Sequence, residues 1–376
     1  MIQLKGRIPS PIHIHGKIGK ALPTFTVTFK DGNTVLPQTQ VKQGKTATYN
    51  GTVPAKDGNE FLGWVLSEPS NDIVDTDTFD GTIYQQITNV TEDITCWAVY
   101  SDKRIIHDSW DVISQRSQAG TARDYYNVGD MKRIHIEGTI INYSPIININ
   151  VYAYIIGFDH NSTVEGSGIT FGLFKDAAEY ENSALIDIYY NSIGNGKRFS
   201  MNHGFDSTNT GGWSNCDLRY DVLGSTDVRE GNPTQNCTAT PVENTYMSCL
   251  PSDLRTVMKP IIKYTDNVGN SSHGVEAVTA TIDYLPLLSE YEVFGTSNYA
   301  NQNEKSKQAQ YDFFKESTNR VMYSSNGTFT SSNTANWWLR SPHRRNDEEF
   351  CMVNSTAGND ALGAGLSEGL VPIMLI

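Results

Sequence analysis

The stretch Trp337-Trp338-Leu339-Arg340-Ser341-Pro342 constrains this chain more than any other part of it. Two adjacent tryptophans bury a large apolar area, typically ~150–250 Å² each, so Trp337 and Trp338 read as core rather than as ligand contacts. Arg340 beside them calls for a carboxylate or backbone carbonyls as its partner, a structural role. Beyond Pro342 the apolar run Phe350-Cys351-Met352-Val353 follows, and the sequence closes on Leu370-Val371-Pro372-Ile373-Met374-Leu375-Ile376. Between these anchors most residues are small, polar or charged: His343, Arg344, Arg345, Asn346, Asp347, Glu348 and Glu349, then 354–368. A polar stretch held between two anchored strands has the properties of a binding surface on a rigid scaffold. An ordinary solvated loop is the plainer alternative.

At 376 residues the chain is too long for one ordinary core, which points to two or three domains. Charged residues make up only 19%, while Gly 31, Tyr 19 and many Asn, Ser and Thr suggest short strands, tight turns and long loops. A net charge of -13 argues against nucleic acid as a partner, because sequence-independent binding needs a cationic footprint. Cysteines 96, 216, 237, 249 and 351 are odd in number and form no Cys-x-x-Cys pair, so they read as reduced core residues rather than a disulfide framework or zinc knuckle. No apolar run approaches the ~18 residues of a membrane span, so membrane insertion is not expected. Pro9, Pro11, His13 and His15 interrupt any apolar segment that a secretory signal would need.

Residues 1–24 read as an extended arm for attachment or oligomerisation. Ile12-His13-Ile14-His15 alternates apolar and polar, so the arm could add a strand to a partner or a symmetry mate. Both imidazoles share one strand face. In a trimer His13 and His15 would surround one metal; the plainer reading is polar surface. Residues 25–101 form an all-β pattern: Phe25-Thr26-Val27-Thr28-Phe29 alternates strictly, Lys30-Asp31-Gly32-Asn33 supplies a turn, and Phe61-Leu62-Gly63-Trp64 and Thr95-Cys96-Trp97-Ala98-Val99-Tyr100 follow. This order resembles the Listeria–Bacteroides β-repeat of internalin-type surface proteins, which implies a β-grasp-like spacer module. In residues 102–126, Ile105, Ile106, Ser109, Trp110, Ile113 and Gln115 fall at helical spacing, with Asp102 available as cap and Gly120 as stop.

The third segment, 102–376, carries GDMKRI (129–134), YIIGFDHN (154–161), GGWSNCDLR (211–219), YLPLLSEYEVFG (284–295) and the Trp-Trp-Leu-Arg-Ser-Pro run in that order. Together they resemble a phage and bacterial domain family marked by that last motif, similar to the formylglycine-generating-enzyme branch of the C-type lectin fold. Variable proteins of diversity-generating retroelements share the pattern. The resemblance implies a fold that is mainly β with some α (α+β): the β-grasp-like spacer followed by a C-type lectin-like domain. It also implies that ligand contacts fall just after the motif, on His343, Arg344, Arg345, Asn346, Asp347, Glu349, Asn354, Ser355, Asn359 and Asp360, with Trp337, Trp338, Arg340 and Phe350 as structural core.

Catalytic signatures are missing from the sequence. No Gly-x-Ser-x-Gly elbow, His-Glu-x-x-His helix or phosphate-cradling loop occurs. Formylglycine-type enzymes need a reactive cysteine pair near the C-terminus, where Cys351 stands alone in an apolar strand. Glu68-Pro69-Ser70 is the nearest match to a calcium-lectin signature and falls in the spacer. The expectation is therefore a non-enzymatic protein without cofactor, made in the host cytoplasm and carried on a phage virion. Its expected partners are other virion proteins through residues 1–24, further copies of itself in a homo-oligomer such as a trimer, and a host-surface glycan or protein. A purely structural capsid or tail-fibre component and a bacterial surface adhesin are the alternatives.

Overall fold

The computed structural model describes residues 21–140, 147–176, 183–185, 199–202, 208–271, 274–325 and 334–376. The arm as far as residue 20, with His13 and His15, lies outside the described residues. Strand (33%) outweighs helix (18%), so the protein is β-rich with short helices. The chain divides into two units, Met1–Lys103 and Arg104–Ile376. No helix among the described residues is long and apolar enough to cross a membrane.

Alternating side chains build the first unit. Its strands are β1 (Thr24–Asp31), β2 (Thr34–Val35), β3 (Thr39–Lys42), β4 (Lys45–Ala47), β5 (Asn59–Val65), β6 (Ile87–Val90) and β7 (Ile94–Asp102). The main sheet has the order β2-β1-β7-β5, with β3 also on β1, and β4 pairs with β6. β1 and β7 run parallel, with Phe29 opposite Cys96 and Lys30 opposite Trp97. Because successive residues face opposite sides, Cys96, Ala98 and Tyr100 join Val27, Phe29 and Trp64 in the main core. Trp97 and Val99 turn the other way, towards Val65 and Val74. Phe29, Tyr49 and Phe61 pack around the Trp64 ring at centroid distances of 4.6, 5.0 and 5.2 Å.

The second unit opens on an extended stretch, not on the helix expected from residue 102. Asp102 pairs with Asn59 at the end of β7 and is not the cap of that helix. Residues 104–106 run alongside Met131, whose N–H donates to Arg104 O and whose carbonyl accepts from Ile106 N–H, both at 2.8 Å. The helix α1 is Trp110–Gln118, capped by the Ser109 hydroxyl, and Gly120 (φ +71°) follows it in the left-handed region. Next come β8 (Met131–Gly138), β9 (Ile147–Phe158), α2 (Ser162–Glu165), β10 (Ile169–Asp176) and β11 (Ser183–Leu185). They are followed by α3 (Tyr246–Cys249), α4 (Ser252–Val257), β12 (Ile261–Asp266), β13 (Val278–Asp283), α5 (Glu290–Phe294), β14 (Met322–Ser325) and β15 (Thr334–Ala335). The last strands are β16 (Trp337–Pro342), β17 (Glu349–Val353), β18 (Asn359–Gly363) and β19 (Met374–Leu375).

The central sheet of this unit is β19-β10-β9-β8, so the end of the chain pairs with a strand from the first third of the unit. Two cores flank it. Val151, Ala153 and Ile155 of β9 enter one core, and Tyr152, Tyr154 and Ile156 the other. The same division splits β16, with Trp338 in the first core and Trp337 and Leu339 in the second. It splits β17 too, Phe350 and Met352 against Cys351 and Val353. Every residue of β16 is buried, which is why this strand tolerates two adjacent tryptophans. At ~25 cal/mol per Å² each ring contributes about 4–6 kcal/mol of burial as an upper estimate.

Candidate functional site

The polar positions that follow the tryptophans sit on the three-stranded sheet β16-β17-β18. Its foundation is satisfied in detail. Trp337 Nε1 donates to Arg320 O and Trp338 Nε1 to Phe199 O, both at 2.9 Å. Arg340, fully buried, grips Glu292 with both terminal nitrogens (2.5 and 3.0 Å) and donates to Thr265 Oγ1 (2.7 Å) and Leu287 O (2.8 Å). Glu292 also accepts from Lys263 (2.8 Å), which reaches on to Glu165 (2.6 Å). Two cations and two carboxylates thus neutralise one another where isolated charges would be prohibitively costly. Burial alone would raise the pKa of Glu292, but Arg340 and Lys263 outweigh it and hold the carboxyl well below the usual range.

The turn 343–348 between β16 and β17 is held from a distant part of the chain. Asn209, fully buried, donates its side-chain amide to the carbonyls of His343 (3.2 Å), Asn346 (2.7 Å) and Glu349 (2.8 Å). Its backbone N–H donates to Asp347 O (2.7 Å), and its Oδ1 accepts from Asn270 N–H (2.7 Å). The segment carrying it lies so close to 266–269 that a Cβ on Gly212 would sit 2.0 Å from Asp266 O, and one on Gly269 1.9 Å from Asn209 O. Both glycines have positive φ, +56° and +60°. Sequence reasoning missed Asn209 altogether. Its place two residues before the Gly211-Gly212-Trp213 turn is the one local signal, and nothing local names a partner more than a hundred residues away.

On this pinned turn, Arg345 and Asp347 are exposed, with the neighbouring Glu348, while His343, Arg344, Asn346 and Glu349 are half-buried. The His343 ring lies 5.5 Å from that of Tyr299, and its Nδ1 accepts from Arg345 N–H at 3.1 Å. Burial, reinforced by Arg344 and Arg345 and opposed by Glu349 and Glu290, holds His343 below the ordinary imidazole value, so the ring is neutral at pH 7. Arg344 donates its backbone N–H to Tyr299 O (2.8 Å), and its buried Nε has no partner among the described residues. Asn346 Oδ1 is taken up within the turn by Glu348 N–H (3.0 Å).

The remaining expected contacts lie elsewhere. Asn354 and Ser355 belong to the turn between β17 and β18, and Asn359 and Asp360 open β18, at the opposite end of the five-residue β17, roughly 17 Å away at ~3.4 Å per residue. Three of these four side chains serve the framework. Asn354 Oδ1 accepts from Gly358 N–H (2.8 Å) and Thr356 Oγ1 (2.8 Å), closing the turn. Asp360 Oδ1 accepts from Ala361 N–H (2.9 Å). Asn359 donates to Glu290, whose buried carboxylate also receives the N–H groups of Asn298 (2.8 Å), Tyr299 (3.0 Å) and Ala300 (2.5 Å). The sequence groups ten positions as one surface; the structure places them at two ends of β17, and the exposed side chains of the first end are Arg345, Asp347 and the neighbouring Glu348.

What this arrangement offers is directional recognition. A cation and carboxylates stand on a rigid turn, with the His343 ring of that turn beside Tyr299. All five cysteines are free and buried. Burial pushes Cys216 and Cys237 up to about 12 and Cys96 and Cys249 up to about 11, and it raises Cys351 well above the ordinary thiol value.

A protein family described as a domain of unknown function (DUF6273) matches residues 181–375, just over half of the chain. No curated protein matches the sequence.

Proposed function

The chain belongs to the DUF6273 family, and we propose that it displays a ligand-binding turn on a C-type lectin-like scaffold, as an adhesion or receptor-binding protein of a phage virion. The observation that carries this reading is the pairing of opposites at 343–349. The backbone is fixed by Asn209 through four hydrogen bonds, while Arg345, Asp347 and Glu348 remain exposed. A pre-organised turn binds with less ordering cost than a free loop, and exposed side chains change without disturbing the fold. Tryptophans 337 and 338, Arg340 and Phe350 supply the rigid base. The protonated, buried thiols favour a non-enzymatic role, since a nucleophilic cysteine needs an accessible thiolate. The first unit acts as a β-grasp-like spacer, and the arm 1–24 attaches a homo-oligomer to other virion proteins. The virion setting rests on the resemblance of the motifs in the second unit.

Screening the full-length chain against arrays of host-surface glycans and proteins tests this reading. A retained glycan or protein that is lost on Arg345→Glu with Asp347→Lys supports it. If no host component is retained while the chain is incorporated into particles, it is a structural capsid or fibre component instead.

A further inference from the structure

The first unit holds a second candidate site, on the face of its sheet opposite the main core. Lys30 and Trp97 are register partners on β1 and β7, so their side chains leave on the same face, with Lys30 Nζ 5.7 Å from the indole centroid. The segment 66–74 folds over this face and is tied down at its far end. Tyr100 N–H donates to Asp72 O and Val74 N–H to Tyr100 O, each at 2.8 Å. The Asp72 carboxylate pairs with Lys56, which also reaches Asp31 at 3.1 Å. Between the segment and Trp97 lies an open pocket of about 280 Å³, lined by Glu68, Pro69, Ser70, Asn71, Asp72 and Trp97. That volume is at the small end for ligand sites, room for a single small ring. Trp97 Nε1 is buried and has no hydrogen-bond partner among the described residues, unusual for an indole N–H removed from water. Glu68 and Ser70 are exposed at the rim.

We infer that this pocket binds one sugar ring, a neutral pyranose or similar cyclic polyol. The lining and the lysine beside its indole select by elimination of charge. Lys30 already stands by the indole, so a ligand cation would meet a like charge, and Glu68 and Asp72 repel a simple anion. A neutral polyol meets all the groups present. Its C–H face lies against the indole, and its hydroxyls donate to the Glu68 and Asp72 carboxylates. A single ring engaged this way binds weakly, with Kd in the millimolar range. The site is independent of the turn 343–349 and gives the spacer unit a binding role of its own.

The test uses the full-length chain labelled with 15N-tryptophan and a panel of glucose, galactose, mannose, rhamnose and N-acetylglucosamine. Saturation-transfer NMR reads the sugar, and the indole N–H spectrum reads the protein. The expected result is saturation transfer to at least one sugar and movement of one indole signal, the signal that Trp97→Phe removes. Glu68→Gln and Ser70→Ala alter only exposed side chains, so the fold should be kept while sugar affinity falls several-fold. Arg345→Glu with Asp347→Lys should leave this response unchanged, which separates it from the display surface. The inference is overturned if no sugar moves the Trp97 signal, if the response survives Glu68→Gln and Ser70→Ala undiminished, or if spermidine or acetate moves that signal and the sugars do not.

Discussion

Arg340 shows how a residue can be read correctly in kind and yet leave its partner hidden. Its need for a carboxylate follows from its place beside two tryptophans, but Glu292, Lys263 and Glu165 converge on it only through folding. Replacing Arg340 by leucine leaves Glu292 with only Lys263 to balance it, and the second unit should lose about 3–5 kcal/mol in a denaturant titration. Deeper in the same region Glu304 behaves differently. Burial raises its carboxyl to about 7, against the opposing pull of Asp266 N–H, Ser341 and Arg340. Burial likewise lifts Glu368 to about 7, partly offset by Asn336. A carboxyl whose folded pKa exceeds its unfolded one holds its proton longer in the native state. Its contribution is complete below the unfolded value of 4.5 and is lost as pH rises through about 7. Stability should therefore fall, and melting temperature with it, between about pH 4.5 and pH 7, by up to ~1.4 kcal/mol per pH unit for each group. Glu304→Gln should flatten that slope, and an unchanged pH profile in the variant would contradict this assignment.

Among the elements, the strands were legible and the boundary features were not. Phe25 to Phe29, the Thr95 to Tyr100 run and the Phe350 to Val353 run all lie in strands, because alternating or continuous apolar runs carry a strong signal. The helix near residue 110 was visible by spacing, but its cap was assigned to Asp102 when Ser109 performs it. The helical period runs back through Ile105 and Ile106, which in fact line up beside Met131 as extended chain. Tertiary pairing there overrides a local pattern. The candidate turn was legible by composition, whereas its division into two ends and its anchor, Asn209, were not. Asn209→Ala leaves the carbonyls of His343, Asn346 and Glu349 without their shared donor, at a cost of about 2–3 kcal/mol. Hydrogen exchange followed by mass spectrometry should show faster exchange in peptides covering 343–349, with β9 and β10 unaffected. Equal loosening across the whole unit would mean that Asn209 holds the core rather than the turn.

At the scale of the whole molecule, the chain divides between Lys103 and Arg104. Both basic residues are exposed, so limited trypsin treatment should cut there first and leave two fragments that each unfold cooperatively. What composition could not convey is that the C-terminal strand β19 returns to pair with β10. Such a long-range pairing leaves no mark in local sequence, yet it closes the scaffold on which the turn 343–349 is held. The central claim is that recognition and folding are separable in the second unit. The most direct measurement is a paired one, melting temperature and binding to the ligand identified on the arrays, made on the parent chain and on Arg345→Glu with Asp347→Lys. Binding should fall at least tenfold while stability stays within about 0.5 kcal/mol. A variant that binds like the parent, or one that loses binding only in proportion to lost stability, would contradict the claim.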